Sequence, residues 1–111
     1  MDKSKEKKVM TNDQQVARFA KAMGNPTRIS ILLFLAKQES CFFGDIFNVL
    51  PIAKATVSQH LKELKDAELI QGTIEAPKVR YCINRENWKK AQQLFADFFT
   101  ELKDTNKKNC C

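Results

Sequence analysis

Between Ala53 and Leu69 the chain repeats an apolar residue at Val57, Leu61 and Leu64. That i, i+4, i+7 spacing lays one stripe along a helix. Around the stripe stand Thr56, Ser58, Gln59, Lys62, Glu63, Lys65 and Asp66, so the rest of the helix surface is polar. Thr56 followed three residues later by Gln59 reads as a capping box and places the helix start nearby. Upstream, Gly44 to Leu50 is a short helical run with Ile46, Val49 and Leu50 apolar, and Pro51 stops it. Two short helices joined by a tight turn predict a helix-turn-helix. Downstream, Leu69 to Glu75 and Val79 to Ile83 read as two β runs around Ala76-Pro77-Lys78. In the second run Val79, Tyr81 and Ile83 alternate with Arg80, Cys82 and Asn84, so one face can bury.

The flanks are helical by the same test. Thr11 or Asn12 can cap a helix to about Met23, with Val16, Phe19, Ala20 and Met23 on one face. Gly24-Asn25-Pro26 breaks the chain; Asn25 then serves as N-cap and Pro26 as first residue of a helix through Lys37. Ile29, Ile31, Leu32, Leu33, Phe34 and Leu35 make that helix apolar nearly all round, which predicts a buried core helix. The last helix, from about Glu86 to Lys103, carries Trp88, Ala91, Leu94, Phe95, Phe98, Phe99 and Leu102. That stripe is wider than so small a domain can cover alone, and an exposed apolar patch implies a partner surface. The pattern predicts a mainly α fold with a small β-hairpin: a winged helix-turn-helix of five helices plus a two-stranded wing. It spans residues 11–103, between a flexible basic tail at 1–10 and a flexible polar tail at 104–111 that ends in Cys-Cys.

The chain has 111 residues, 43% of them apolar, with three glycines and three prolines, which bounds it to one ordered domain. No apolar run reaches the length of a membrane span and no signal-peptide core follows the first residues, so a cytoplasmic protein without a membrane partner is expected. A net charge of +6 favours a polyanionic partner, nucleic acid first. The charge is unevenly placed. Lys54, Lys62 and Lys65 in the central helix are balanced by Glu63, Asp66 and Glu68, while the excess lies on the N-terminal tail, Arg18, Lys21, Arg28, Lys78, Arg80 and the last helix. Short hydrogen-bonding side chains in a helix's first turns suit major-groove base edges. Lys54, Thr56, Ser58, Gln59 and Lys62 are therefore the candidate DNA readers, with Lys78 and Arg80 of the wing on phosphates or in the minor groove. Arg28 is a weaker phosphate candidate, and a capped, merely solvated helix is the bland alternative.

TVSQHLKELKDAELI, followed by a hairpin ending VRYCI, resembles the core of the ArsR/SmtB family of small dimeric repressors. Gly-Asn-Pro-Thr-Arg-Ile before an aliphatic run fits the same family, and the resemblance covers about Asn25 to Asn84 with both flanking helices. It implies a two-fold homodimer through the first and last helices, with recognition helices about 34 Å apart on successive major grooves of double-stranded operator DNA. It also implies an inducer that releases the DNA. Arsenic-responsive members carry Cys-x-Cys-Asp-x-x-Cys before the turn; here the stretch is Phe42-Phe43-Gly44-Asp45-Ile46-Phe47, with the aspartate kept and the cysteines absent. Other members bind zinc on the last helix through paired Asp, His and Glu. This chain has a single histidine, His60, in the recognition helix, so no zinc site is expected and His60 reads as structural or phosphate-contacting.

Four cysteines are the candidate input. Cys110 and Cys111 are adjacent, which makes a bridge between them strained and poorly explained as structural. With Cys41, just ahead of the helix-turn-helix, they make a soft three-sulfur set suited to As(III) or Sb(III). The alternative input is oxidation or a reactive sulfur species, with Cys41 pairing to Cys110 or Cys111 as disulfide or polysulfide. Cys82, mid-strand, reads as a packed thiol without function. An enzyme is not expected: the chain has no Cys-x-x-Cys, no glycine-rich phosphate loop and no Ser/His/Asp set. A winged helix that binds only protein partners would not need Thr56, Ser58 and Gln59.

Overall fold

The computed structural model describes residues 10–73 and 80–102. Both tails and the hairpin tip lie outside the described residues, and with them the expected site residues Lys78, Cys110 and Cys111. Four α-helices and three strands follow in the order α1 (Asn12–Met23), α2 (Pro26–Ala36), β1 (Phe42–Phe43), α3 (Lys54–Asp66), β2 (Ile70–Thr73), β3 (Arg80–Ile83) and α4 (Arg85–Phe99), with a 3-10 turn at Ile46–Asn48 between β1 and α3. The winged helix-turn-helix expected from the pattern is the fold observed.

Its helix starts follow local chemistry. Thr11 and Gln14 form a reciprocal capping box on α1, and Asn25 accepts from the backbone N–H groups of Thr27 and Arg28 ahead of Pro26. The capping box expected within α3 is absent. That helix begins at Lys54 with Ala53 as its cap, and the Thr56 hydroxyl instead donates back to the Ala53 carbonyl at 3.2 Å. The first helix of the helix-turn-helix also differs. Over Gly44 to Leu50 only the single 3-10 turn forms, because a run this short and ended by proline cannot close successive α-turns. Four α-helices and that turn thus occupy the five helical places among the described residues.

The wing is three-stranded rather than two-stranded. Strand order is β1-β3-β2, all antiparallel, with Phe42 opposite Tyr81 and Phe43 opposite Arg80. On the other side Ile70 faces Ile83 and Gly72 faces Tyr81. Tyr81 and Ile83 turn into the core and Arg80 outward, as the alternation predicts. Burial pushes the Tyr81 phenol above its ordinary pKa, and the Asp45 carboxylate adds to the effect.

One core unites these elements: Phe19 of α1, Ile31, Leu32 and Leu35 of α2, Val57, Leu61 and Leu64 of α3, Leu69 and Ile70 after it, and Ala91 of α4. The core helix is not buried all round, since Leu33 is 53% exposed. The last helix buries Ala91 fully and packs Trp88, Leu94 and Phe95 partly, while Phe98, Phe99 and Leu102 stay exposed.

Gly72 sits at a φ of +140°, and a Cβ there would drive into the carbonyl of Arg80 on the paired strand. Gly72→Ala should therefore destabilise the protein by about 2 kcal/mol or more, from strain and clash together. Urea unfolding would show the loss, and an unchanged midpoint would contradict it.

Candidate nucleic-acid interface

Helix α3 is held in one orientation by its apolar stripe. Val57, Leu61 and Leu64 are buried, which turns Lys54, Thr56, Ser58, Gln59 and Lys62 to the surface. All five of these expected readers are thus brought onto one exposed flank, and each is differently engaged. Lys54 Nζ lies 5.2 Å from the centre of the Phe47 ring. Thr56 is tied back to Ala53. Gln59 Nε2 donates to Glu63 Oε2 at 3.0 Å, and Lys62 Nζ pairs with Asp66 Oδ2 at 3.0 Å. Such exposed i, i+4 contacts are worth a few tenths of a kcal/mol, so a base edge or phosphate can displace them. Arg80, the described wing candidate, is exposed at the start of β3.

Two arginines serve the scaffold instead. Arg28 donates through Nε to His60 Nδ1 at 3.2 Å and through Nη1 to the Ala22 carbonyl at 3.1 Å, joining α1, α2 and α3. This gives His60 its structural role and occupies the guanidinium proposed as a weaker phosphate contact. Arg18 Nη2 donates to the Asp66 carbonyl at 3.0 Å and approaches Glu68 Oε1 at 3.4 Å, pinning the C-terminal end of α3 to α1. Sequence pattern missed both clamps, since they join residues far apart in the chain.

The cysteines bring the main correction. Cys41 is joined to Cys82 by a disulfide, with Cα atoms 4.4 Å apart and a sequence separation of 41. Cys82 is not an idle thiol. The pairing of β1 with β3 brings the two together, and β1 is the strand that the sequence pattern did not show. Beside the pair opens a cavity of about 380 Å³, whose walls include Gln38, Glu39, Asn84 and Arg85. Among the described residues no group of three or more His, Cys, Asp and Glu side chains could hold a metal ion. Cys41 fits a thiolate ligand set only when its bond to Cys82 is open. No described helix is long and apolar enough to cross a membrane.

Residues 25–71, which run from the α2 cap through α3 to β2, match the bacterial regulatory protein, arsR family. Over 73 residues the chain is 30% identical to the HTH-type transcriptional regulator YgaV of Escherichia coli (strain K12), a match covering 66% of this chain and 74% of that one. Among solved structures, an ArsR-like transcriptional regulator from Rhodococcus sp. RHA1 superposes with a TM-score of 0.64 at 18% identity, covering 80% of this chain and 83% of the other. The cadmium metal-sensor CMTR from Mycobacterium tuberculosis gives a TM-score of 0.53 at 27% identity, covering 86% and 97%.

If α3 reads bases, replacing Thr56 and Gln59 together by alanine should cut the preference for a selected duplex over scrambled DNA by at least tenfold. Each lost base contact is worth about 1–3 kcal/mol. Fluorescence anisotropy against a duplex enriched from a random-sequence pool measures this, and an unaltered preference would count against the reading role.

Proposed function

Because the chain belongs to the arsR family of bacterial regulatory proteins, we propose that this transcriptional regulator is a homodimeric, operator-binding repressor released by a thiol-seeking inducer. The observation that carries the DNA-binding half is the split surface of α3, with Val57, Leu61 and Leu64 buried and its hydrogen-bonding side chains outward. Lys54, Thr56, Ser58, Gln59 and Lys62 enter the major groove, and the wing, through Arg80 and Lys78, tracks phosphates.

Dimerisation runs through α1 and α4. Phe98, Phe99 and Leu102 are 55%, 72% and 86% exposed, an apolar cluster at the end of a helix that already packs on α1. A second copy related by a two-fold axis covers it with the same cluster. Phe98→Asp combined with Phe99→Asp should yield a folded monomer in sedimentation and weaken binding to a two-half-site duplex at least a hundredfold. A variant that remains dimeric would remove these residues from the interface.

The inducer is As(III) or Sb(III), bound by the thiolates of Cys41, Cys110 and Cys111. Soft, trivalent metalloids take three sulfurs, and a relative of this chain, CMTR, is a sensor of cadmium, another thiol-seeking ion. Cys41 stands directly before β1 and the 3-10 turn, so a ligand seated on it acts at the entrance to the helix-turn-helix. By linkage, whatever factor the metalloid removes from DNA affinity, DNA removes from metalloid affinity.

The test is DNA binding by the fully reduced chain, titrated in parallel with arsenite, cadmium and zinc. Arsenite should release the wild type and fail on Cys41→Ser and on the Cys110→Ser/Cys111→Ser double variant. Release by cadmium alone would keep the repressor and change its inducer. Release of all three proteins by arsenite would dismiss these cysteines as its site.

A further inference from the structure

Cys41 has two chemical fates, and they exclude each other. Its sulfur is either a free thiolate able to ligate a metalloid or one half of the bond to Cys82. A disulfide sulfur has no anionic lone pair to offer an As(III) centre. We infer that the Cys41–Cys82 pair is a redox gate on the metalloid input: while the disulfide is closed, the regulator stays on DNA and does not respond to the metalloid. This rests on the reading of Cys41 as an inducer ligand given above and adds a regulator of that same site.

The geometry supports a reversible bond. The Cα atoms are 4.4 Å apart, at the short limit of the distances disulfides span, so both states need little backbone movement. Both cysteines are half-buried rather than sealed in the core. They line the cavity of about 380 Å³, whose wall carries Glu39 and Glu86 as well as Arg85. The oxidant is a low-molecular-weight disulfide of the glutathione class.

The exchange balances in two steps. One thiolate of the pair attacks the small disulfide, forming a mixed disulfide and expelling one small thiolate. The second cysteine then attacks the protein-side sulfur, closing Cys41–Cys82 and expelling the second small thiolate. The protein pair loses two electrons and two protons; the small disulfide is reduced to two thiols. Reduction by excess small thiol runs the same path backwards.

The test compares two preparations of the full chain, one equilibrated with reduced and one with oxidised dithiothreitol. Both are desalted without oxygen before arsenite is added, since free dithiol would bind it. Peptide mapping after alkylation locates the cross-link, and anisotropy on the selected duplex reports release. Wild type in the oxidised preparation should carry Cys41 joined to Cys82 and need at least tenfold more arsenite for release than the reduced preparation. Cys82→Ser and Cys82→Ala, checked for unchanged duplex binding without arsenite, should respond like reduced wild type after either treatment. Mapped, cross-linked protein that releases at the same arsenite concentration as reduced protein overturns the gate alone. Oxidised wild type in which both thiols remain free after treatment with oxidised glutathione as well overturns it too. Failure of the reduced wild type to respond to arsenite overturns the inducer reading and the gate with it, and that result is read in the reduced arm.

Discussion

The roll of α3 about its own axis is the constraint on which the rest of the molecule depends. Val57, Leu61 and Leu64 sit in the same core as Ile31, Leu32 and Leu35 of α2 and Ile70 of β2. Full burial of such a side chain is worth about 1.5–3 kcal/mol. Turning the helix by one residue, about 100°, would expose this stripe and push Ser58, Lys62 and Lys65 toward the core. Buried charge without a partner costs more still. The outward face of α3 is therefore decided by what lies beneath it, and the polar side chains need no device of their own to point outward.

Roll alone does not place a helix along its length, and here the two arginine clamps contribute. Arg28 reaches His60 near the middle of α3, while Arg18 holds the Asp66 carbonyl at its end. Arg18 starts from α1, and Arg28 of α2 also holds the Ala22 carbonyl of α1, so the position of α3 is referred to one of the two helices that frame the proposed dimer. Hydrogen bonds to a charged donor are worth about 1.5–3 kcal/mol when partly shielded and less when exposed. Their value is chiefly geometric. In the proposed dimer a two-fold partner would hold α1 and α4, and Arg18 and Arg28 would pass that symmetry to α3.

What could be read from the chain follows from the range of each interaction. The stripe of α3, the Asn25-Pro26 start of α2 and the alternation of Tyr81 and Ile83 are local periodicities, and each is found as expected. Thr56 and Gln59 carried a capping signature, but Ala53 took the cap because the helix begins three residues further upstream. Strand β1 is two residues long, Phe42 and Phe43, too short to show a period; it exists because β3 offers an open edge. The disulfide followed β1 out of view. Cys41 and Cys82 are neighbours only through that strand pairing, so neither spacing nor composition could join them. Of the candidate site, the exposed flank of α3 was legible and the pairing of Cys41 with Cys82 was not.

The seam between β1 and β3 is where a covalent bond changes most. Two residue pairs hold it by backbone contacts, whereas β2 meets β3 over four. The cross-link closes a loop that contains the 3-10 turn, the whole of α3 and β2. In the chain-entropy view a loop of this size stabilises the folded state by about 4 kcal/mol. A small domain's net stability is about 5–15 kcal/mol, so the bond weighs heavily without touching the core that sets the roll of α3. Chemistry at Cys41 therefore reaches the reading unit through its frame. The face that α3 presents stays fixed by Val57, Leu61 and Leu64, and what the cysteines can alter is how firmly the segment before the turn is tied to the wing.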